Sequence, residues 1–361
     1  MFFTILIVLF SIIALMVIHE FGHFIMAKKF GVGVEEFGVG LPPRLLGKKI
    51  GETVYSLNLL PFGAFVRIRG EEEEAEGEKS FTNKPVWQRA LILLAGVVSF
   101  WIVALILLTF VFNLGTFQAI SDEESGPLNN PQVQIASLAP GSPAQEAGLQ
   151  IADIIKEMRR NGQKQAVSKV GEVQSFIEEH KGEEIILLIE RMNKDMEISL
   201  VPRIDPPEGE GAMGVSLVRI AEQSYGLPQA FIKAGQTTLN LTVAITAGLI
   251  DLLASLIKGR GLPAGIEVMG PIGIGSMAVQ AVQIGASYFL QFIAIIAIYL
   301  AIFNLLPIPA LDGGKLLFLL IEKIKGKPIN RRIEQRVTIG FFLFFIILMV
   351  LVTIKDIAGL F

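Results

Sequence analysis

The 361-residue chain is 52% hydrophobic with a mean hydropathy of +0.58, which is too apolar for an ordinary soluble domain and predicts several membrane-spanning helices. Its net charge of −3 gives no indication of nucleic-acid binding. The chain has no cysteine, which excludes disulfides and thiolate metal sites. No basic segment precedes the first apolar run, so we expect a retained span rather than a cleaved signal peptide.

The first apolar segment contains an HExxH motif near its end, defined by His19, Glu20 and His23. On a helix, residues four apart lie on one face, so the two imidazoles can bind one metal ion, and neutral imidazoles suit zinc. Glu20 lies about 100° around the helix, where it can act on the attacking water without ligating the metal. The alternative is a pair of structural histidines. Ionisable residues in an apolar segment are usually functional, which favours the metal site.

The hydropathy pattern predicts a polytopic α-helical membrane protein with about four transmembrane helices. In the first half we predict a first span with the motif at 1–29, a cytoplasmic-side loop with a β-hairpin at 30–85, a second span at 86–114 and a linker at 115–132. In the second half we predict a soluble-type domain at 133–219, amphipathic helices and a Gly/Pro loop at 227–285, a third span at 286–311, a cytoplasmic segment at 312–336 and a fourth span at 337–361.

The loop after the first span contains two stretches with strand composition, at 54–59 and 64–68. We predict that they form a hairpin joined around 60–63, whose unpaired edge could accept an extended peptide as an added strand. The alternative is a hairpin that only packs against the spans. The pattern alone does not separate these two roles.

Membrane topology follows from the basic residues beside the spans. Ten Lys/Arg lie between residues 28 and 89 and seven lie between 315 and 336, so both loops are expected to be cytoplasmic. An even number of crossings must separate them, which requires that residues 227–257 do not cross. This segment is long enough to span but carries several polar residues, so we predict one or two amphipathic helices at the interface.

A third metal ligand is expected, because catalytic zinc usually has three protein ligands and one open position. The predicted topology places the end of the third span at the depth of the HExxH motif. Pro307 and Pro309 break the helix there and free backbone groups. Asp312 follows as the carboxylate at that depth. Its alternative role is the cap of a cytoplasmic helix.

Two motifs carry a family resemblance: HEFGH in the first span and N-x-x-P-x-P-x-L-D-G from Asn304 to Gly313. Together they resemble the site-2 protease family of intramembrane zinc metalloproteases. The stretches 270–273 and 316–326 are also similar to its bacterial regulator-of-sigma-E protease branch. That family carries a PDZ insertion between the second and third spans. The stretch from Gly141 to Leu149 is similar to the PDZ pattern, with room for a single PDZ (α+β) domain.

The resemblance implies an intramembrane zinc endopeptidase that cleaves transmembrane segments of single-pass membrane proteins, such as anti-sigma factors or signal-peptide remnants. It implies His19, His23 and Asp312 as Zn²⁺ ligands and Glu20 as the base. The substrate-contacting residues that we predict are Asn304, Pro307, Gly63, Phe65 and Val66.

The PDZ-like domain is expected to be extracytoplasmic in a multi-pass protein of the inner (plasma) membrane, with the active site near the cytoplasmic side. Met213, Gly214 and Val215 resemble the carboxylate-binding loop of a permuted PDZ domain, which would bind peptide C-termini. The domain could either exclude substrates with bulky external domains or recruit newly exposed C-termini, and the sequence leaves both open.

One position departs from the family pattern. The family usually has Gly-Pro-x-x-Asn in its second span, whereas this chain has Gly96-Val97-Val98-Ser99-Phe100, so Phe100 replaces the Asn. Because the HExxH motif and the aspartate are intact, we still expect activity. The alternatives from other classes are a catalytically inactive membrane PDZ adaptor with a structural metal site and a metal transporter. The intact Glu20 argues against the adaptor, since a structural site needs no base.

Overall fold

The computed structural model describes residues 2–71, 77–124, 128–191, 194–207, 209–261 and 269–358. The predicted Gly/Pro loop, linker and fourth span each extend partly outside these ranges. Two compact units are distinguished: Val111–Ala230, and Met1–Phe110 together with Phe231–Phe361. We call the first the inserted unit and the second the helical unit.

The helical unit is built mainly from long apolar helices. They are α1 (Phe2–Lys29), α2 (Val86–Leu114), α5 (Leu227–Ile257), α6 (Pro271–Ile284), α7 (Ala286–Leu305), α8 (Asp312–Lys325) and α9 (Arg331–Ala358). Within the described residues, five helices are long and apolar enough to cross a membrane, namely α1, α2, α5, α7 and α9. Helices α1, α2 and α7 lie within the first three predicted spans, and α9 overlaps the fourth but begins at Arg331, within the segment 312–336 that was predicted as cytoplasmic.

The fifth such helix, α5, covers the segment predicted as one or two amphipathic helices. Residues 227–257 form one continuous helix of 31 residues, and by length and composition it could cross a membrane. Its polar residues Lys233, Gln236 and Asn240 recur at helical spacing and so share one face. Its position at the interface therefore stays a prediction.

The two strands after α1 pair differently from the prediction. Strand β1 (Val34–Ile50) pairs with β2 (Thr53–Ile68), and residues 34–39 lie between residues 54–57 and 64–68 of β2. The predicted pairing of 54–59 with 64–68 is therefore wrong. Alternation of apolar residues identifies a strand but not its partner, and β2 runs on through the predicted turn. Residues 64–68 nonetheless form an outer edge of this layer.

A shared core ties this layer to the helices. Buried apolar residues from the end of α1, both strands, the start of α2, the middle of α8 and the short connections between the first four of these elements pack into one cluster: Ala27, Val32, Val34, Ile68, Phe81, Ile92, Leu93 and Leu319. Because α8 joins this cluster, its first residue is held beside α1.

The inserted unit is an antiparallel sheet with one helix of three turns. Its elements are β3 (Thr116–Ile120), β4 (Asn129–Leu138), the single turn α3 (Pro143–Glu146), β5 (Ile154–Arg160), β6 (Gln163–Ala166), α4 (Val170–Glu179), β7 (Ile185–Arg191), β8 (Lys194–Leu200) and β9 (Val215–Gln223). The strand order is β3-β9-β4-β5-β7-β8, with β6 paired to β5. Residues 116–120, predicted as linker, therefore belong to the sheet.

Candidate metal centre

Helix α1 presents both motif histidines to the interior. His19 and His23 are 7% and 5% exposed, and their Nε2 atoms lie 3.3 Å apart. The helix is uninterrupted through the motif, so the spacing of four residues places the two rings on one face, with their planes at 83°.

Asp312 is brought to this face by a sharp reversal of the chain. Helix α7 ends at Leu305, and α8 begins at Asp312. A Cβ atom at Gly313 would lie 2.2 Å from the carbonyl oxygen of Leu306, and one at Gly314 would lie 2.2 Å from that of Ile308. Only glycine permits so close an approach, so this pair lets α8 start against the chain that leaves α7.

The carboxylate of Asp312 faces the histidines. Its Oδ2 atom lies 3.3 Å from Nε2 of His19 and 3.4 Å from Nε2 of His23. The N-cap position of α8 is Leu311, which makes no side-chain capping bond. Among the described residues, Oδ2 has no partner with hydrogen-bond geometry. This arrangement is unlike a helix cap, in which the carboxylate would accept a backbone N–H.

The three atoms suit a single zinc ion. Within the described residues, His19, His23 and Asp312 form a group that could hold a metal, with separations of 3.3, 3.3 and 3.4 Å. Ligands about 2.0–2.1 Å from a tetrahedral zinc are separated by about 3.3–3.4 Å. The triangle therefore has the dimensions of one face of a zinc tetrahedron.

Helix α2 supports the site through close backbone contact with α1. A Cβ atom at Gly22 would lie 2.5 Å from the carbonyl oxygen of Ala95, and one at Gly96 would lie 2.2 Å from Nε2 of His23. Small residues of this kind let membrane helices approach closely. Nδ1 of His23 lies 2.9 Å from the carbonyl oxygen of Ile92 and donates to it in the matching tautomer. That bond leaves the lone pair of Nε2 for the metal.

His19 has a different neighbour. Its ring stacks on the ring of Phe100, with centroids 4.7 Å apart and planes at 13°. Nδ1 of His19 has no hydrogen-bond partner among the described residues. The two histidines are therefore held by different means, one by a hydrogen bond and the other by a flat aromatic contact.

Glu20 lies beside the triangle without belonging to it. Its carboxylate interacts electrostatically with His23, His19 and Asp312, but it is not part of the group of three converging atoms. This separation is what a general base requires, since a metal ligand cannot also take a proton from water.

Helix α8 is also tied down by two ion pairs that the sequence analysis did not find. Arg89 of α2 pairs with Glu322, and Lys315 lies 2.6 Å from Glu71, which follows β2. The first pair is largely buried. These contacts link the element that carries Asp312 to α2 and to the strand layer. Their partners are more than 200 residues apart, so no local pattern indicates them.

The structure relates the predicted substrate residues to the metal centre less directly than it does the three ligand residues. Gly63 lies beside α1, since a Cβ there would be 3.6 Å from Cε of Met16. Phe65 packs over Gly38, and Val66 packs against the shared core. Asn304 donates to the carbonyl oxygen of Leu300 at 2.9 Å. Pro307 is exposed and follows the end of α7 by two residues.

The predicted carboxylate loop lies just before β9. Gly214 has a φ of +72°, which favours glycine, and its carbonyl oxygen accepts a bond of 2.8 Å from the N–H of Ala139. The N–H of Gly214 donates to Gly211 at 2.8 Å, so it is engaged within the loop. Met213 is buried in the core of the inserted unit, and Val215 packs against it.

An HExxH helix that meets a distant aspartate within a bundle of apolar helices defines a membrane-embedded metallopeptidase. Residues 7–348, nearly the whole chain, match peptidase family M50. The chain belongs to this family, the site-2 proteases, and is a zinc metalloprotease of the intramembrane type. The family, the class of enzyme and the zinc cofactor predicted from the sequence are thereby confirmed.

Relatives cover nearly the full chain. A Clostridium perfringens protein with a provisional zinc-metalloprotease name is 36% identical, over 95% of this chain and 95% of its own. RasP of Bacillus subtilis, named regulator of sigma-W protease, is 30% identical over 95% of both chains. A Clostridium acetobutylicum protein, also with a provisional zinc-metalloprotease name, is 31% identical over 99% of this chain and 98% of its own.

A solved structure also matches part of the chain. The PDZ domain of an SdrC-like protein from Listeria monocytogenes is 19% identical, covers 26% of this chain and 92% of its own, and has a TM-score of 0.21. A score this low does not establish a shared fold. The PDZ-like character of the inserted unit therefore stays a prediction from its sequence pattern.

Proposed function

We propose that this chain hydrolyses peptide bonds within transmembrane segments of single-pass membrane proteins, with His19, His23 and Asp312 as the zinc ligands and Glu20 as the general base. The observation that supports this most is the triangle of three buried ligand atoms, 3.3–3.4 Å apart, formed by two histidines on an apolar helix long enough to span and an aspartate at the start of α8. Ionisable groups are rare and usually functional in such a setting.

The chemistry divides between the metal and the chain. Bound zinc supplies Lewis acidity, which polarises the scissile carbonyl and lowers the pKa of the attacking water. Glu20 takes the proton from that water and delivers it to the leaving amine. Ile92 orients the ring of His23 through its carbonyl oxygen. The buried setting of both histidines excludes bulk water, which strengthens these electrostatic effects.

A transmembrane helix must unwind before its amide bonds can be cleaved, because they are engaged in the helix itself. We propose that the outer edge at residues 64–68 binds the unwound segment as an added strand. Gly63 lies close to α1 and would bring this strand toward the HExxH motif. Asn304, in the last turn of α7, and Pro307, just after that helix, would contact the same segment.

We propose that the basic loops around 28–89 and 315–336 are cytoplasmic and that the inserted unit is extracytoplasmic. Single cysteines placed at Lys325 and at Gln163 of β6 test this, because the chain has no native cysteine. An impermeant thiol reagent added from outside should label position 163 and not position 325. Labelling of position 325 from outside would refute this topology.

We propose that the substrates are anti-sigma factors or signal-peptide remnants already trimmed outside the membrane. Support comes from the relative RasP, whose name makes it a regulator of sigma-W. The inserted unit would exclude bulky external domains. Removing residues 133–219 should then allow cleavage of a substrate with an intact external domain. If that substrate remains uncleaved, the exclusion role is wrong.

Cleavage in reconstituted vesicles tests the proposal. The wild-type chain and Asp251→Asn, which changes an exposed acidic residue of α5, should cleave a single-pass substrate and contain about one zinc per chain. Glu20→Gln should keep its zinc and lose about 10²–10⁴-fold in rate. If the wild type binds zinc but cleaves no membrane substrate, the chain is an adaptor with a structural metal site.

A further inference from the structure

The two histidines of the metal centre are supported unequally. Nδ1 of His23 lies 2.9 Å from a backbone carbonyl oxygen, whereas Nδ1 of His19 is buried and has no hydrogen-bond partner among the described residues. A metal-binding histidine almost always donates its second ring N–H to an acceptor, which fixes the tautomer and orientation of the ring. Some other contact must fix the orientation of His19.

Phe100 provides that contact. Its side chain is 1% exposed, and its ring stacks on that of His19 at 4.7 Å and 13°. A stacked ring restricts rotation of the imidazole about its own axis, because any other angle drives its edge into the aromatic face. Since Phe100 lies four residues after Gly96, which touches His23, both contacts come from one face of α2.

We propose that Phe100 is a positioning residue for the zinc centre, holding His19 by ring stacking where a hydrogen bond would otherwise do so. The proposal rests on the proposed zinc site and adds a role that the sequence alone did not give to Phe100. It also accounts for the departure at this position: an aromatic ring in place of an amide keeps the ligand oriented by shape.

Zinc affinity measures this role independently of cleavage. Full-length protein in detergent is stripped with a chelator and titrated with zinc against a competing chromophoric chelator. Phe100→Leu and Phe100→Met remove the ring but keep an apolar side chain, and each should raise the zinc Kd about tenfold. Phe100→Tyr keeps the ring and should stay within about twofold of the wild type. Cobalt substitution adds a second readout, since the visible absorption of Co²⁺ reports tetrahedral coordination and should weaken only in the ring-free variants.

Leu108→Ala is the matched control, because Leu108 is a fully buried residue two turns further along α2. It should lower thermal stability and leave the zinc Kd unchanged. The proposal is rejected if the ring-free variants bind zinc as the wild type does, if Leu108→Ala weakens zinc as much as they do, or if neither ring-free variant folds. Failure of the zinc site itself is recognised separately, because the wild type would then bind no zinc.

Discussion

A buried aspartate occurs in each unit, and the two are treated in opposite ways. Asp153 of the inserted unit is 1% exposed and accepts bonds of 2.7 and 2.6 Å from Arg191 and one of 2.8 Å from the N–H of Gln150. Asp312 of the helical unit points an oxygen without a hydrogen-bond partner at two imidazoles. The carboxylate of Asp153 has its hydrogen bonds satisfied and is structural, whereas the carboxylate of Asp312 has an oxygen available to bind a ligand.

Unsatisfied atoms alone do not make the distinction. Isolated ones also occur in the inserted unit, for example at Gln118 and Gln132. What distinguishes the helical unit is that lone pairs of three side chains converge within 3.4 Å. Convergence, rather than burial, is therefore the informative observation.

The largest expected effect comes from removing the charge of Asp312. Asp312→Asn should lower zinc from about one ion per chain to near zero and abolish cleavage, because an amide is a poor ligand and the ion loses one of three protein ligands. Asp312→Glu keeps the charge and should retain partial zinc. Metal analysis and cleavage assays measure both. Full zinc content in Asp312→Asn would show that the Asp312 carboxylate is structural, like that of Asp153, and does not bind the metal.

The same substitution at Asp153 should act on folding alone. Asp153→Asn leaves Arg191 facing a neutral partner in a buried position and should destabilise the inserted unit by about 3 kcal/mol without changing zinc content. Faster amide exchange in β5 and β7 of the full chain would report it. Asp195→Asn is the control, since its pair with Lys156 is exposed and worth less than about 1 kcal/mol. Equal effects of the two would contradict the structural role of Asp153.

Gly96 of α2 offers a second test of the metal centre in the helical unit. Gly96→Ala places a methyl group 2.2 Å from Nε2 of His23, so the ring must move and the zinc Kd should rise up to about 100-fold. Gly248→Ala on α5 is the control, because a Cβ there meets nothing within 4 Å and replaces glycine by a better helix former. An unchanged zinc affinity in Gly96→Ala would show that α2 can move away from His23 without weakening zinc binding.

The smallest effect concerns the turn between β1 and β2. Hydrogen bonds from Lys28 and Lys79 lower the pKa of Glu52 from 4.5 to about 2. A lowered folded-state pKa stabilises the protein above the ordinary value, and this contribution is lost as the pH falls from 4.5 toward 2. Because Glu52 is exposed, we expect less than about 1 kcal/mol. The difference in melting temperature between wild type and Glu52→Gln should shrink over this range, and a constant difference would refute it.

The three residues that the sequence pointed to as zinc ligands lie together in the structure, whereas the predicted strand pairing is wrong. HExxH spacing is a local property of one helix, and the Pro-x-Pro break together with depth in the membrane pointed to Asp312. Strand pairing depends on contacts that alternation does not encode, so the partner of residues 54–57 was assigned wrongly.

Other features of the metal centre depend on how the helices pack and could not be predicted from the sequence. Phe100 was recognised only as a departure from a pattern, because which ring it meets depends on how α2 rotates against α1. Gly22 and Gly96 could have been noticed, since glycine inside a membrane helix indicates close packing. The ion pair between Arg89 and Glu322 joins residues 233 positions apart and has no local signature.

The order in which the triangle's corners are synthesised has a consequence for biogenesis. About 290 residues separate His23 from Asp312, and at about 5–20 residues per second the ribosome needs roughly 15–60 s to make them. For that interval the two histidines are in place without the carboxylate that completes the group. If Asp312 is a zinc ligand as proposed, the complete metal site forms only after α8 has docked, and the nascent chain would insert its own apolar helices before it could cleave a peptide bond.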